Sequence, residues 1–175
     1  MEYEKLARKY RKKPVADINA DTFVSVNYGQ EEIKRLIPHR DPFLLLDRIE
    51  NVDLTQKAII GMRHINPADP LFKGHFPDYP IYPGVLQLEF IGQLAICYYS
   101  LAKNNSVEIM GDNSKLGVRA LKVLHTLFQH EVLPDDEVQI IAKILEEDEY
   151  KFRGIGQVLK GDKICTIVIA EFFIV

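Results

Sequence analysis

The sequence predicts an α+β fold in which an antiparallel sheet wraps around one long apolar helix. The segment from Val85 to Ala102 is apolar on nearly every side, which is typical of a helix at the centre of a protein. The last third of the chain, from Leu121 to Val175, consists of apolar or alternating runs separated by turns, which is typical of antiparallel strands. Because such a helix needs cover on every side, a surrounding sheet is the expected partner.

Composition supports an ordinary globular domain. Of 175 residues, 47% are hydrophobic and 27% are charged, which excludes a disordered or low-complexity chain. The formal net charge of −3 gives no reason to expect a nucleic-acid partner. Cys97 and Cys165 lie in apolar runs, so they are expected to be buried free thiols in a reducing cytoplasm, and two cysteines alone cannot form a zinc site.

Residues 1–28 read as an appended segment of low definition, ahead of a domain spanning residues 29–175. The segment has no apolar core of the kind that a signal peptide needs. Its first 13 residues carry six basic and two acidic side chains, which leaves the rest of the chain with a net charge of −7. A solvated, frayed helix is the favoured interpretation, and contact with an acidic partner or an anionic surface is the alternative.

The first half of the domain contains one short helix and one strand. Gln30 to Leu36 is predicted to be a helix that ends before Pro38. A loop and an apolar run, Phe43 to Leu46, follow. Lys57 to Ile65 alternates enough to predict a strand. Residues 66–83 contain five prolines and are expected to form an irregular loop with a restricted backbone.

Pro83 and Gly84 are expected to open the long helix, since proline suits the first positions of a helix. Asn104 and Asn105 are expected to end it. The same segment is long enough for a membrane span, but Glu89 near its middle would be costly in lipid. We therefore predict a buried helix and no integral membrane segment.

Four strands are predicted after this helix, which with the earlier strand makes five, a small number for covering a helix. Dimerisation that extends the sheet would solve this. The last two runs flank Gly161-Asp162, a two-residue hairpin signal, and the final run is apolar on both faces and should be covered on both. The four strands are expected at residues 121–132, 138–145, 150–159 and 164–175.

Two ionisable residues stand out by their surroundings. His75 lies in a proline-stiffened loop, and histidine titrates in the range that suits a general base. Glu89 lies on the apolar helix, where loss of hydration favours the protonated form that a general acid needs. Between them, the helix start at Gly84 offers free backbone N–H groups to a developing negative charge. This combination suits removal of a proton alpha to a carbonyl with loss of a group from the beta carbon.

Taken singly, these residues have ordinary explanations. A lone histidine in a loop is usually structural or exposed, and a lone glutamate on an apolar helix usually lies at its edge or beside a base. Gln93 is one helical turn after Glu89 and is expected to orient that carboxyl or a water, although Gln87 and Gln93 also fit satisfied core amides. The conjunction of histidine loop, Pro-Gly helix start and buried glutamate is much rarer.

Two runs of sequence carry a family resemblance that covers roughly residues 30–175. Residues 36–48, LIPHRDPFLLLDR, resemble the amino-terminal motif of the FabZ-type (3R)-hydroxyacyl-acyl carrier protein dehydratases. The run from Phe72 through Glu89 to Gln93 is similar to that family's active-site segment. Glutamate at position 89 points to this branch, because the related isomerising dehydratases carry aspartate there.

The resemblance implies a hot-dog fold and a homodimer as the minimal unit, often assembled as a trimer of dimers. It implies an active site at the dimer interface, with His75 from one subunit as base and Glu89 from the other as acid. The substrate would ride on the phosphopantetheine arm of acyl carrier protein, in fatty acid or related lipid biosynthesis, with no metal or redox cofactor. The substrate-binding residues implied are Gly84, Val85, Phe76, Gln93 and Phe128.

The chain departs from the family pattern outside His75 and Glu89. Gln129, His130 and Glu131 stand where lysine or arginine and then proline are usual, and Asp135 stands where glycine is usual. Tyr82 replaces a commoner methionine or phenylalanine. Two other functions remain open at this stage: an acyl thioesterase of the same fold, and a non-catalytic module that binds an acyl chain or its carrier.

Overall fold

The computed structural model describes residues 2–175 and has the predicted α+β architecture. All neighbouring strands pair antiparallel in one seven-stranded sheet with the order β1-β2-β3-β5-β6-β7-β4. The elements are α1 (Glu2–Lys9), β1 (Val24–Tyr28), α2 (Gln30–Leu36), β2 (Arg48–Asp53), β3 (Ala58–His64), a 3-10 helix (Pro70–Lys73), α3 (Gly84–Ala102), β4 (Val118–Phe128), β5 (Glu137–Glu147), β6 (Lys151–Lys160) and β7 (Lys163–Ile174).

The expected count of five strands is wrong. The sheet has seven, because β1 and β2 lack the alternating pattern by which a strand is predicted. In β2 the pairing register with β3 shifts between Ile49 and Asn51, and this irregularity interrupts the alternation that marks a strand. The side chains of Ile49 and Val52 are nevertheless fully buried. β1 has a similar shift in its pairing with β2, between Ser25 and Tyr28.

α3 lies in the concavity of the sheet, as its apolar composition predicts. Two glycines on the sheet allow a close approach: a Cβ atom at Gly156 would lie 2.2 Å from Ile91 Cγ2, and one at Gly61 would lie 3.0 Å from Leu94 Cδ1. By length and composition α3 is the one helix within residues 2–175 that could cross a membrane, but 61% of its most apolar window is buried inside the protein. This burial is what a central core helix requires.

Within residues 2–28, the prediction of low definition is wrong. α1 and the segment after it pack on the outer face of the sheet, where Ala7, Val15 and Ala16 are buried against isoleucines of β5, β6 and β7. Gln157 on β6 fastens this layer, since its Oε1 accepts from the amide of Val15 at 2.9 Å and its Nε2 donates to two carbonyls of the segment. The final strand is therefore covered on both faces, as predicted, and the domain boundary at residue 28 stays a prediction.

A buried carboxylate joins this outer layer to the sheet. Asp53 at the end of β2 accepts hydrogen bonds from the hydroxyl of Thr22 at 2.6 Å and from the side chain of Gln56 at 2.7 Å. Burial raises the pKa of Asp53, but these hydrogen bonds and two from backbone amides outweigh it, so the pKa lies below its usual value.

Two local features match expectations from single residues. β6 and β7 are joined by the predicted two-residue turn, with Gly161 at a positive φ of 57°. Asp135, where the resemblance expects glycine, adopts φ 70°, a region that aspartate tolerates better than most residues.

Cys97 and Cys165 are free and buried, as predicted, and burial raises the pKa of both thiols. The cytoplasmic location inferred from them stays a prediction.

Candidate active site

The start of α3 presents unused backbone donors. Pro83 precedes the first helical residue, Gly84, and the amide of Leu86 is the first in the helix to donate, at 3.1 Å to the carbonyl of Pro83. Among the described residues no hydrogen bond uses the amides of Gly84 or Val85. These two N–H groups are therefore available to an oxygen that gains negative charge.

His75 is held by its own loop in a defined tautomer. Its Nδ1 lies 2.9 Å from the carbonyl oxygen of Ile81, and because a carbonyl oxygen only accepts, Nδ1 carries a proton. In the neutral ring, Nε2 is then the atom with a free lone pair. The ring of Phe76 stacks on His75 with 4.2 Å between centroids, and the amide of Ile81 donates to the carbonyl of His75 at 3.3 Å, so the loop closes on itself.

His75 and the helix start share one cavity of about 450 Å³. Gly84, Val85 and Phe128 line it together with His75, so the structure brings four of the predicted site residues to one place. Phe128 covers the helix start, since a Cβ atom at Gly84 would lie 2.7 Å from Phe128 Cε1. Glycine at this position thus leaves the amides accessible beneath the aromatic ring.

Glu89 is fixed by one of its two carboxylate oxygens. Its Oε1 accepts from Gln93 Nε2 at 2.9 Å and lies 3.3 Å from His39 Nε2. Gln93 is itself fully buried and pinned, because its Oε1 accepts from the amide of Leu45 at 2.9 Å and its Nε2 also donates to the carbonyl of Phe43 at 2.8 Å. No hydrogen bond from the described residues reaches Oε2 of Glu89, whose side chain is 32% exposed.

Within one chain, Glu89 does not face the His75 cavity. Glu89 is not among the residues that line that cavity, and its partners in the described chain are Gln93 and His39. Across residues 2–175 no hydrogen bond or ion pair joins Glu89 to His75. In a single subunit, the structure therefore places Glu89, the candidate acid, apart from His75, the candidate base. Gln93 lies beside Glu89.

Sequence reasoning assigned no role to two residues that the structure places at the site. His39, in the amino-terminal motif, contacts Glu89 across 50 positions of sequence, a tertiary contact without a local signal. Tyr82 lines the His75 cavity, stacks on Phe90 with 5.3 Å between centroids and has a buried hydroxyl without a partner in the described chain. Burial raises the pKa of Tyr82 to about 12.

Comparison with known families identifies related sequences. Residues 37–168 match the model of the FabA-like domain. The chain is 34% identical over 137 residues to the 3-hydroxyacyl-[acyl-carrier-protein] dehydratase FabZ of Halalkalibacterium halodurans, covering 78% of this chain and 86% of the relative. FabZ of Clostridioides difficile is 34% identical over 145 residues, with coverage of 79% and 96%.

Solved structures confirm the predicted hot-dog fold. The dehydratase heterocomplex ApeI:P from Xenorhabdus doucetiae superposes with a TM-score of 0.61 at 12% identity, covering 82% of this chain and 90% of that one. A thioesterase variant from Pseudomonas aeruginosa superposes with a TM-score of 0.51 at 13% identity, covering 73% and 80%. At these identities the likeness concerns the fold alone, and dehydratases and thioesterases share it.

Proposed function

Since the chain belongs to the FabZ family of 3-hydroxyacyl-[acyl-carrier-protein] dehydratases, we propose that it converts a (3R)-hydroxyacyl thioester of acyl carrier protein into the trans-2-enoyl thioester and water, in fatty acid or related lipid biosynthesis. The observation that carries the proposal is the cavity where the free Nε2 of His75 accompanies the unused amides at Gly84 and Val85. This pairing of a base with an anion site is what elimination beside a thioester needs.

In the proposed reaction the thioester oxygen accepts from the amide of Gly84, which stabilises the enolate that forms when His75 Nε2 takes the proton from the alpha carbon. The electron pair of that C–H bond becomes the new double bond as the bond from the beta carbon to oxygen breaks. Glu89 gives its proton to the departing hydroxyl, directly or through water, and water leaves. Val85 and Phe128, which line the cavity, and Phe76, stacked on His75, would contact the acyl thioester.

The contacts of Glu89 suit the role of a positioned acid. Gln93 and His39 both reach Oε1, which leaves Oε2 as the oxygen that carries and delivers the proton. Gln93 is a rigid support because the backbone of residues 43 and 45 fixes its amide. We assign both residues as positioning residues for Glu89.

A homodimer would complete the site, since Glu89 does not line the His75 cavity of its own subunit. β4 lies at one end of the sheet order, and its side chains Leu121 and Val123 are 59% and 51% exposed. Such an apolar strand edge favours burial against a second copy. We propose the homodimer as the minimal unit and a trimer of dimers as a further assembly, with acyl carrier protein as the partner that delivers substrate.

The proposal is tested by following the interconversion of a 3-hydroxyacyl thioester and its trans-2-enoyl form, on acyl carrier protein and on coenzyme A. A dehydratase equilibrates the two forms without releasing thiol. Release of free thiol would instead identify a thioesterase, the activity of one structural neighbour. Tight acyl binding without either reaction would identify a binding module.

Gly84→Ala is expected to lower kcat/KM roughly 10- to 100-fold, because the added Cβ would displace the Phe128 ring and crowd the thioester oxygen. Gly92→Ala is the matched control on the same helix. A Cβ there would meet Phe172 at 3.7 Å, an ordinary contact, so activity should be unchanged. Equal kinetics for the two variants would show that the amide of Gly84 does not contact the substrate.

A further inference from the structure

We propose that a basic segment at the amino terminus, comprising Arg8, Lys9, Arg11 and Lys12, is a docking surface for the acidic acyl carrier protein that presents the substrate. The inference rests on the proposed function and extends it to a surface outside the matched domain, which begins at residue 37. All four side chains are exposed.

The basic segment lies at the rim of the His75 cavity. Arg11 Nε donates to Gln129 Oε1 at 2.8 Å, and Gln129 Nε2 donates back to the carbonyl of Arg11 at 3.2 Å. Gln129 follows Phe128 and lines the cavity itself. A carrier that binds where Gln129 meets the cavity would therefore lie beside Arg11 and its neighbouring cations.

Charge favours an acidic partner at this place. The cavity lining contains no lysine or arginine among the described residues and includes Glu131. Positive charge reaches the lining from outside, through Arg11 on Gln129 and through Lys160 on the carbonyl of Glu131. Beyond its first 13 residues the chain carries a net charge of −7, so the positive charge of the basic segment contrasts with the negative charge of the rest of the chain. Arg8 is paired with Glu4 at 2.7 Å, whereas no acidic side chain within the described chain pairs with Lys12.

The segment is a fixed platform rather than a loose tail. Ala7 is fully buried, and Gln157 donates to the carbonyls of Tyr10 and Lys13 at 2.8 and 3.1 Å. The apolar side of α1 is thereby used against the sheet and is not free to enter a lipid surface. These contacts favour a protein partner over a membrane. The phosphodiester of a phosphopantetheine arm adds a negative charge that suits the same cations.

The test compares one acyl group on two carriers. With the full-length protein, the double variant K9A/K12A should lower kcat/KM for crotonyl-acyl carrier protein hydration roughly 10-fold at low ionic strength. The difference should fade in about 1 M salt, where the Debye length is only about 3 Å. Hydration of crotonyl-N-acetylcysteamine, which has no protein and no phosphate, should be unchanged. The control K103A/K115A removes two exposed lysines at and beyond the opposite end of α3 and should not alter either rate.

Each other outcome has a definite meaning. Unchanged kinetics with the carrier substrate, or an equal loss with both substrates, would overturn the docking assignment. If the wild-type protein hydrates neither thioester, the proposed function fails. Docking is then tested separately by measuring the affinity for labelled holo-acyl carrier protein from its fluorescence anisotropy. The docking proposal expects this affinity to be lower in K9A/K12A than in the wild-type protein. Unchanged carrier affinity together with lost binding to phosphatidylglycerol vesicles would assign the segment to a membrane instead.

Discussion

His75→Ala and Glu89→Gln are each expected to lower kcat roughly 10²- to 10⁴-fold, the range that a positioned acid or base contributes. Without Nε2 of His75, the proposed reaction loses the group that takes the alpha proton. Without the acidic proton of Glu89, the departing oxygen leaves as hydroxide. The measurement is the rate of hydration and dehydration with saturating thioester, beside a thermal unfolding curve for each variant.

Two conservative substitutions distinguish a loss of chemistry from a loss of folding. His75→Asn retains an amide N–H that can donate to the carbonyl of Ile81, so it preserves the loop contact while it removes the base. It should be as inactive as His75→Ala. Glu89→Gln keeps a carbonyl oxygen that can accept from Gln93, so it removes the proton with little change in shape. Substantial activity in either the H75N or the E89Q variant would refute the assigned roles.

The central helix and the last strands could be predicted from the sequence because their signals are local. The Pro-Gly start, the all-round apolar surface of α3 and the Gly161-Asp162 turn are all read from neighbouring residues. The cover on the outer face was not predictable in this way. α1, with its buried Ala7, packs against β4 and β7, which lie more than 100 residues away in sequence, and nothing near it distinguishes a packed basic helix from a frayed one.

In the candidate site, too, the features with a local sequence signal were predicted and those that depend on distant contacts were not. His75, Gly84 and Glu89 were proposed from their immediate surroundings, whereas the contact of Glu89 with His39 spans 50 positions of sequence. In the proposed dimer the position of Glu89 relative to His75 depends on a second chain, which a single sequence does not describe. The observation behind this proposal is that Glu89 is absent from the residues that line the His75 cavity of its own chain.

A mixture of two inactive variants is expected to regain activity if the site is shared between subunits. In a dimer of one H75A chain and one E89Q chain, one site has both substitutions, and the other combines the intact His75 with the intact Glu89. With random pairing of equal amounts, half of the dimers are mixed and each has one working site, so about a quarter of wild-type activity should return. Co-expression with two affinity tags allows the mixed dimer to be isolated, and it should have about half of wild-type activity per dimer.

The control is H75A paired with the double variant H75A/E89Q, which has no intact base in either chain and should remain inactive. If His75 and Glu89 acted within one chain, no pairing of the single variants would restore turnover, because each chain would lack one of the two groups. Recovery thus measures which chain supplies the acid. The expectation rests on the cavity of a single chain, which His75 lines and Glu89 does not. If the mixed dimer regains activity, the carboxyl of a second copy reaches the cavity of the first, as proposed.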